Sequence, residues 1–325
     1  MKRIGNLYHQ IYDVNNLKLA DKKARLGKTN QQGVIKHDKN RGSNIINLYH
    51  VLINCEYTTS AYTVYTLYDP KEREIFRLPY YPDRITHHAI MNILEPIFVS
   101  TFTSDTYSCI KKRGIHGAFY KLKHVLKDQI NTRYCLKLDI KKFYPSINHY
   151  ILKKLLRRKF KDEKLLALLD DIIDSAQGVP IGNYLSQYLA NFYLTYFDHW
   201  IKEVLRVKYY FRYCDDIVIL SSNKETLWNY LDKIKIYLKD NLKLEVKYNY
   251  QVFPVVSRGI DFVGYKFYHT HILLRKSIKL KFIKMIKYNN NSKSKASYNG
   301  WLSHCNSINL KDKYLYGNYR FSPVI

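Results

Sequence analysis

The chain has 325 residues, among them 54 Lys or Arg and 27 Asp or Glu, so its formal net charge is +27. Hydrophobic residues make up 46% of the chain, which supplies a sizeable folded core and excludes a wholly disordered basic tail. Such a basic excess predicts a polyanionic partner, most commonly nucleic acid, and the 32 tyrosines suit base stacking; a lysine-rich solvated surface is the alternative.

The first third of the chain predicts short helices, then a hairpin, then a longer helix. Residues 1–50 are polar and basic with little periodicity, which indicates short helices joined by loops. Residues 57–78 are rich in Thr, Tyr and Val around a DPKE turn, a composition typical of a β-hairpin. From Asp83 onward the apolar residues recur at helical spacing, and we expect structural roles for His87 and His88 inside that helix.

The centre of the chain predicts strand, helix, strand, strand, helix, strand. This is the order of the ferredoxin-like split βαβ arrangement, in which two helices cover one face of an antiparallel sheet. A tight loop at residues 178–182 separates the first two helical stretches. The predicted strands cover residues 137–147 with a turn at Pro145, 209–213, 217–220, 244–247 and 262–267, and the predicted helices cover 151–173 with a break near 161–162, 184–204 and 224–239.

The end of the chain predicts a basic helix followed by a linker. Ile278, Phe282 and Met285 recur at i, i+4 and i+7 among many lysines, so the apolar stripe would pack inward and the lysines would follow phosphates. A helix lying on a membrane surface is the alternative. Residues 289–296, NNNSKSKA, are of low complexity and predict a mobile basic linker or loop.

Cysteine usage and the apolar pattern point to a reducing compartment. The five cysteines are odd in number and none has the CxxC or Cys/His spacing of a zinc site, so neither a disulfide framework nor a zinc knuckle is indicated. The first ten residues lack the apolar segment of a signal peptide, and no apolar run approaches the length of a membrane span. We therefore expect a cytoplasmic protein that does not associate with membranes.

Three aspartates lie where predicted strands end. Asp139 closes an apolar strand, and Asp215 and Asp216 lie at the bend between two β-rich runs. In the split βαβ topology the first and third strands are neighbours, so these carboxylates should meet. Adjacent carboxylates repel unless a dication neutralises them, and oxygen ligands suit Mg²⁺, two of which can clamp an in-line phosphoryl displacement. A polar hairpin turn is the alternative for the Asp215-Asp216 pair.

Four segments resemble the motifs of reverse transcriptases in their order and spacing. LDIKKFYPSI at 138–147 resembles the first catalytic motif, and FRYCDD at 211–216 resembles the Tyr-x-Asp-Asp signature. GVPIGNYLSQYLANFYL at 178–194 resembles the motif that positions template and nucleotide, and GIDFVGY at 259–265 the segment that ends in the primer grip. The resemblance extends from about residue 65 to 310 and implies an α+β right-hand polymerase with fingers, a split βαβ palm and a helical thumb.

Within that family the chain is most similar to the reverse transcriptases of bacterial and phage diversity-generating retroelements, which are related to those of group II introns. Pro180-Ile181-Gly182 stands where most of the wider family has Pro-Gln-Gly, and Ser186-Gln187 also fits the subgroup, as does LRKS at 274–277. The Val-Thr-Gly segment of retron enzymes is absent from the sequence. The expected divisions are an N-terminal basic extension at 1–56, fingers at 57–134, a palm at 135–268 with a fingers insertion at about 148–178, and a thumb at 269–325.

The resemblance also implies the roles of individual residues. Asp139, Asp215 and Asp216, with the backbone carbonyl of Ile140, would bind two Mg²⁺ ions, for which Mn²⁺ can substitute. The primer 3′-hydroxyl would then attack the α-phosphate of a dNTP. The primer grip would contain Phe262, Gly264 and Tyr265. The nucleotide-binding residues would be Arg73, Arg113, Tyr144, Ile181, Gly182, Gln187 and Lys247.

Several of these roles have structural alternatives. Tyr144 would exclude a ribose 2′-hydroxyl as a steric gate, or would simply pack beside Pro145. Arg73 and Arg113 suit a triphosphate by their bidentate geometry, but surface roles are the alternative, and Lys111 and Lys112 compete for the same contact. Lys247 would donate a proton to pyrophosphate, or would be a surface lysine on a strand.

The predicted function is RNA-directed DNA synthesis from a template-repeat RNA for diversification of a target gene. Ile181 offers only shape where a Gln would offer hydrogen bonds, so we expect relaxed selectivity, and the resemblance implies errors at template adenines. The implied partners are the template RNA, a DNA primer or cDNA, dNTPs and a small basic accessory variability protein. The alternatives are another bacterial reverse transcriptase of ordinary fidelity, either group II intron-like or of the phage-defence type, or a catalytically silent RNA-binding scaffold.

Overall fold

The computed structural model describes residues 3–68, 72–288 and 291–315, and its N-terminal helices belong to the core of the protein. The Asp13 side chain caps the second helix by accepting from the amides of Asn15 and Asn16. Ile11, Leu17 and Leu48 are fully or almost fully buried in the larger of two apolar clusters. The short helices predicted for this segment are confirmed, and they are α1 (Tyr8–Tyr12), α2 (Val14–Ala24), α3 (Gln32–Asp38) and α4 (Arg41–Ile53).

A hairpin and two helices follow. Strands β1 (Thr63–Leu67) and β2 (Arg73–Arg77) pair antiparallel, which confirms the predicted hairpin, although residues 69–71 of its turn lie outside the described residues. The helix expected from Asp83 is α5 (Ile85–Thr101), which packs against α2, and a π-helical turn precedes it at Tyr80–Arg84. The next helix, α6 (Gly114–Val125), packs near the central sheet.

The central sheet has the predicted topology. Its strand order is β4-β5-β3-β6 with every pair antiparallel, which is the split βαβ arrangement. The predicted break near residues 161–162 is confirmed, since α7 ends before it and α8 begins after it. The strands are β3 (Tyr134–Asp139), β4 (Tyr209–Tyr213), β5 (Asp216–Ser221) and β6 (Gln251–Pro254), and the helices are α7 (His149–Lys159), α8 (Glu163–Asp174), α9 (Tyr184–Tyr193), α10 (Thr195–His199) with a π-helical turn at Trp200–Val204, and α11 (Lys224–Leu242).

The two faces of this sheet are buried in different clusters. Leu136 and Ile219 belong to the larger cluster, together with the N-terminal helices, α5, α9 and α11. Cys135 and Leu220 belong to the second cluster, with α6 and the C-terminal elements. Because successive strand residues face opposite sides, the apolar alternation of β3 and β5 accounts for both cores.

The strand predicted at residues 244–247 is wrong. Lys243 adopts a left-handed conformation with φ of 53° and ends α11, after which only a bridge pairs Val246 with Ile140. The outer strand of the sheet is β6, a few residues later, where Phe253 lies opposite Cys135. The apolar residues of the 244–247 segment pack beside the end of β3, so the sequence pattern there resembles that of a strand.

The strand predicted at residues 262–267 is divided by a turn. Val263 and Gly264 have φ values of 42° and 91°, which turn the chain tightly between two short strands. These strands form a second antiparallel sheet. The elements here are α12 (Val255–Arg258), β7 (Ile260–Phe262), β8 (Tyr265–Phe267) and β9 (Ile272–Leu274).

The C-terminal helices confirm the predicted apolar stripe but not the predicted linker, of which residues 289 and 290 lie outside the described residues. Phe282 and Met285 are buried in the second cluster. The linker prediction is wrong for residues 292–296, because the Asn291 side chain caps a helix there by accepting from the amides of Lys293 and Ser294. Within the described ranges no helix is both long and apolar enough to cross a membrane. The final helices are α13 (Lys276–Tyr288), α14 (Ser292–Leu302) and α15 (Ile308–Tyr314).

Candidate active site

The sheet register brings the three predicted aspartates to one place. Asp139 at the end of β3 is the Cα partner of Asp216 at the start of β5. Asp215 lies in the turn just before, where Cys214 has a left-handed φ of 54°. The Ile140 amide donates to the Asp215 carbonyl at 3.2 Å, which ties this turn to the end of β3. The two central strands thus present a cluster of carboxylates at one end of the sheet.

A buried ion pair supports the turn that carries two of these aspartates. Arg212 and Asp198 are fully buried, and the Arg212 Nη2 atom lies 2.5 Å from Asp198 Oδ2. The guanidinium also donates to the Cys214 carbonyl at 3.0 Å, and the Tyr210 hydroxyl donates to Asp198 at 2.6 Å. Sequence reasoning missed this pair because Asp198 comes from a helix that only the tertiary fold places beneath β4.

Burial and mutual repulsion make two of the carboxylates hard to ionise. Burial, with the nearby Asp139 carboxylate and the Cys214 thiol, raises the pKa of Asp215 to about 7. Burial also raises the pKa of Asp216 to about 6, against the opposing effect of Lys137. The Oδ1 atom of Asp216 is buried without a hydrogen-bond partner. Nearby positive charge therefore does not fully offset the burial of Asp215 and Asp216.

Two lysines contact the same carboxylates. Lys247 Nζ donates to Asp139 Oδ1 at 2.9 Å, and its amide donates to the Asp139 carbonyl at 2.8 Å. Lys137 Nζ lies 3.7 Å from Asp216 Oδ2 and donates to the Asp261 carbonyl. Lys137 lies two residues before Asp139 on β3, so strand alternation places both side chains on the same face of the sheet, but Lys137 was not identified from the sequence.

The donor chemistry fits a hard dication, although the side chains are not gathered around one. Among the residues that the structure describes, no three Asp, Glu, His or Cys side chains are arranged to hold a metal ion. Asp139, Asp215 and Asp216 nevertheless offer oxygen ligands, one of them the orphaned Oδ1 of Asp216. The ion pair with Lys247 engages Asp139 instead.

Tyr144 lies between the turn at Cys214 and Asp215 and the 178–182 loop. Its hydroxyl is 4.0 Å from Cys214 Sγ, and burial raises its pKa. The Val179 amide donates to the Tyr144 carbonyl at 2.9 Å. Gly178 has a φ of +63°, and a Cβ there would lie 2.4 Å from the Tyr144 carbonyl oxygen, so only glycine permits this approach. The structure thus places the predicted steric-gate residue beside the aspartates.

The comparison with known families shows to which family the chain belongs. The sequence model of the family Reverse transcriptase (RNA-dependent DNA polymerase) matches residues 70–267, which include all three aspartates, Tyr144 and the 178–182 loop. The chain belongs to the reverse transcriptase family.

Curated relatives of the chain include a retron reverse transcriptase and a group II intron-encoded protein. Protein YkfC of Escherichia coli K12 is 25% identical over 248 residues, which are 62% of this chain and 65% of YkfC. The retron Ec73 reverse transcriptase of Escherichia coli is 30% identical over 54% of this chain and 59% of its own length. The group II intron-encoded protein LtrA of Lactococcus lactis subsp. cremoris is 29% identical over 41% of this chain and 23% of LtrA. The chain thus spans less than two thirds of the length of each.

Solved structures show the same fold at low sequence identity. Apo telomerase from Candida tropicalis has a TM-score of 0.51 and 14% identity, and covers 68% of this chain and 49% of its own. Telomerase from Candida albicans, in complex with a fragment of telomeric RNA, has a TM-score of 0.50 and 11% identity, with coverages of 73% and 52%. The α+β reverse transcriptase fold predicted from the sequence is therefore confirmed.

The 178–182 loop is joined to the hairpin by a backbone hydrogen bond. The Phe76 amide donates to the Ile181 carbonyl at 2.8 Å. A Cβ on Gly182, whose φ is +123°, would lie 2.8 Å from the Phe76 carbonyl oxygen. Ile181 is half-buried and Gln187 is exposed on α9. The end of the loop at Ile181 and Gly182 is thus held against β2.

The two arginines predicted to bind a triphosphate have different surroundings. Arg73 is exposed at the start of β2. Arg113 donates through Nη1 to the carbonyls of Thr103 at 2.7 Å and Thr106 at 3.2 Å, so it stabilises its own loop in this conformation. Lys111 pairs with Glu95 at 3.0 Å. The structure therefore does not place Arg113 at the site in the way that the sequence predicts. Arg113 would have to leave these two carbonyls before it could contact a nucleotide.

The residues predicted to form the primer grip connect the second sheet to the C-terminal helices. Phe262 and Tyr265 are fully buried, and Val263 and Gly264 in the turn between them are buried as well. A Cβ on Gly264 would lie 2.4 Å from the Trp301 ring. The Tyr265 hydroxyl donates to the Trp301 carbonyl at 3.1 Å, which fixes the sheet against α14.

Sequence reasoning also missed a basic cavity of about 280 Å³ next to the hairpin. Lys28, Arg77 and Arg84 line it together with Gly182 and Tyr184. Burial lowers the pKa of Arg84, and the charge of Arg77 lowers it further; Lys28 is affected in the same way by burial, then Arg84 and Arg77. Three cations that repel one another around a cavity are suited to an anion. The pair Arg77 and Arg84 was visible in the sequence, whereas Lys28 joins it only through the fold.

Proposed function

We propose that the chain is an RNA-directed DNA polymerase that extends a DNA primer with dNTPs on an RNA template. The observation that carries the proposal is the register that sets Asp139 against Asp216, with Asp215 beside them, in a chain of the reverse transcriptase family. The primer 3′-hydroxyl attacks the α-phosphate of the dNTP in line, a new phosphodiester forms, and pyrophosphate leaves.

Asp139, Asp215 and Asp216, with the carbonyl of Ile140, would hold two Mg²⁺ ions, or Mn²⁺ in their place. Bound there, the ions would neutralise the carboxylates and the charge that develops on the phosphate. The residues themselves supply position: the Arg212–Asp198 pair holds the Cys214 carbonyl, and the bond from the Ile140 amide holds Asp215 near β3. Such fixed placement accounts for most catalysis of phosphoryl transfer.

The nucleotide would lie between Tyr144 and the 178–182 loop. Tyr144 would exclude a ribose 2′-hydroxyl, and Ile181 and Gly182 would border the nascent base pair, with Gln187 further along α9. Arg73 and Arg113 would contact the triphosphate, and Lys247 would protonate the leaving pyrophosphate. The turn at Gly264, held by Phe262 and Tyr265, would support the primer.

The template–primer would be held by positive charge on both sides of the carboxylates. The basic cavity lined by Lys28, Arg77 and Arg84 would take phosphates on the fingers side, and the lysines of α13 would do so on the thumb side. We assign residues 1–56 to the extension, 57–134 to the fingers, 135–268 to the palm with an insertion at about 148–178, and 269–325 to the thumb.

We further propose that the enzyme serves a diversity-generating retroelement of a bacterium or phage. The support is sequence alone: Pro180-Ile181-Gly182 in place of Pro-Gln-Gly, with Ser186-Gln187 after it. The template would be a template-repeat RNA copied with errors at adenines in the cytoplasm, with a small basic accessory protein as partner. The second candidate is a bacterial enzyme of ordinary fidelity, which the similarity to the retron and group II intron proteins favours.

Primer extension by the purified full chain tests the activity and separates the candidates. On a defined RNA template with Mg²⁺ and dNTPs, sequenced cDNA should carry misincorporations concentrated opposite adenines. Ile181→Gln should reduce them, and Gln187→Ala should not reproduce that reduction. Uniformly rare errors in the wild type would favour the second candidate, and no extension in Mg²⁺ or Mn²⁺ would contradict the polymerase itself.

A further inference from the structure

The ammonium of Lys247 contacts a carboxylate that the proposed function uses as a metal ligand. It is 2.9 Å from Asp139 Oδ1, and the two side chains are 29% and 28% exposed, so ions in solution can reach the pair. The backbone holds Lys247 in place, because its amide donates to the Asp139 carbonyl at 2.8 Å and the Lys141 amide donates to the Glu245 carbonyl at 2.8 Å. The segment that was expected to be a strand therefore crosses the end of β3 and delivers a lysine to Asp139.

Lys137 makes a different contact with the neighbouring carboxylate. Its ammonium is 3.7 Å from Asp216 Oδ2 and donates to the Asp261 carbonyl. The Asp261 carboxylate in turn accepts from Arg275 Nε at 2.5 Å. Lys137 is thus anchored between the two sheets and leaves Asp216 Oδ1 without a partner, whereas Lys247 is directed at Asp139 itself.

Ion pairing with Lys247 occupies one carboxylate of the cluster. In the part of the chain that the structure covers, no three acidic, His or Cys side chains converge as a metal site. A carboxylate oxygen that accepts from an ammonium is not free to bind a dication on the same lone pair, and the two cations would repel.

We propose that Lys247 is a built-in counter-ion that competes with divalent cations for Asp139 and so sets the metal concentration at which the site assembles. The inference rests on the proposed function, because it takes Asp139 to be a metal ligand. Before a metal binds, the ion pair with Lys247 holds the Asp139 carboxylate toward the 244–247 segment. A dication must displace the ammonium, so breaking this ion pair weakens metal binding. Lys247 acts through Asp139 and is a positioning residue in this role.

Mn²⁺ binding to the whole chain without nucleic acid tests the inference. Binding is measured by the loss of the EPR signal of free Mn²⁺. Lys247→Met removes the charge but keeps most of the side-chain length, so Mn²⁺ should bind about threefold to tenfold more tightly. Lys247→Arg keeps the charge and should bind Mn²⁺ as the wild type does. Lys141→Met is the matched control, because Lys141 pairs with Glu245 at 2.8 Å in the same segment, and its Mn²⁺ affinity should not change.

Equal or weaker Mn²⁺ binding by Lys247→Met, in protein shown to be folded by circular dichroism, would overturn the inference. So would an undiminished effect of Lys247→Met in an Asp139→Asn background, since the competition would then not involve Asp139. Primer extension on the same preparations separates the two proposals. If the wild type extends the primer but Lys247→Met does not change the Mn²⁺ affinity, only the counter-ion proposal is refuted. If the wild type does not extend the primer and Asp139→Asn does not weaken Mn²⁺ binding, the proposed function is refuted.

Discussion

Tyr144 is the side chain whose surroundings most directly limit what the site accepts. It is packed between the 178–182 loop and Cys214, and its carbonyl is held by the Val179 amide. Tyr144→Ala should open space beside the sugar of the incoming nucleotide. We expect the ratio of kcat/KM for ribonucleotides to that for deoxyribonucleotides to rise by about tenfold or more. Tyr62→Ala is a useful control because Tyr62 bonds to Ser175 instead, and an unchanged ratio for Tyr144→Ala would show that this residue only packs.

His87 predicts a pH dependence of stability. It is almost fully buried in α5, its Nε2 atom has no partner, and burial lowers its pKa to about 4. Because the folded state favours the neutral ring, this contribution to stability is complete above the ordinary pKa of 6.5 and is lost as the pH falls toward 4. Protonation of His87 should therefore lower the free energy of unfolding of the wild type by roughly 2–3 kcal/mol. Denaturant unfolding should show a smaller acid loss for His87→Phe than for the exposed control His9→Gln, and equal losses would contradict the assignment.

The 178–182 loop is a rigid connection between the palm and the hairpin. Gly178→Ala would place a methyl group against the Tyr144 carbonyl at a positive φ, at a cost of roughly 2 kcal/mol or more in the free energy of unfolding. The KM for dNTP should rise as well, because the loop also holds the Phe76 amide. Gly42→Ala, which has open space in α4, should be neutral or stabilising. Steady-state extension and urea unfolding check both variants; a harmless Gly178→Ala would mean that the loop is not rigid.

Elements were predictable where the apolar pattern and the local geometry agree. The alternation of β3 and β5, and the recurrence of Asp residues at their ends, were enough to predict the central sheet and the meeting of the carboxylates. The pattern failed at residues 244–247 and 262–267, where positive φ values at Lys243, Val263 and Gly264 redirect the chain. Positive φ values at residues such as Lys243 and Val263 leave no clear signal in the composition. The position of β6 and the division of the strand predicted at 262–267 therefore could not be predicted from the sequence.

Across the chain, whose net charge is +27, the fold brings together charged residues that are far apart in the sequence. The basic cavity joins residues 28, 77 and 84, whose separation in sequence hides their proximity. The same limit concealed Lys137, whose contact to Asp261 needs two sheets, and the Arg212–Asp198 pair. The motif residues were therefore predictable one by one, whereas the charges that surround them became visible only in the folded chain.

Repulsion in the basic cavity gives a prediction with opposite effects on stability and binding. Arg84→Met removes one of three mutually repelling cations, so the free energy of unfolding without nucleic acid should stay the same or rise. The affinity for an RNA–DNA template–primer should fall, and the slope of log affinity against log salt should decrease by about 1. Fluorescence anisotropy at several salt concentrations measures this, with exposed Lys22→Met as control. Unchanged affinity and slope for Arg84→Met would show that the cavity does not contact nucleic acid.

The most direct measurement of the central claim is the primer-extension rate of Asp216→Asn on an RNA template with saturating Mg²⁺. This variant keeps the shape of a side chain paired across the sheet with Asp139 and removes its charge. The rate should fall by at least about a hundredfold relative to the wild type. Asp232→Asn, an exposed aspartate on α11, should extend the primer as the wild type does. Equal rates for Asp216→Asn and the wild type would contradict the assignment of the active site to these carboxylates.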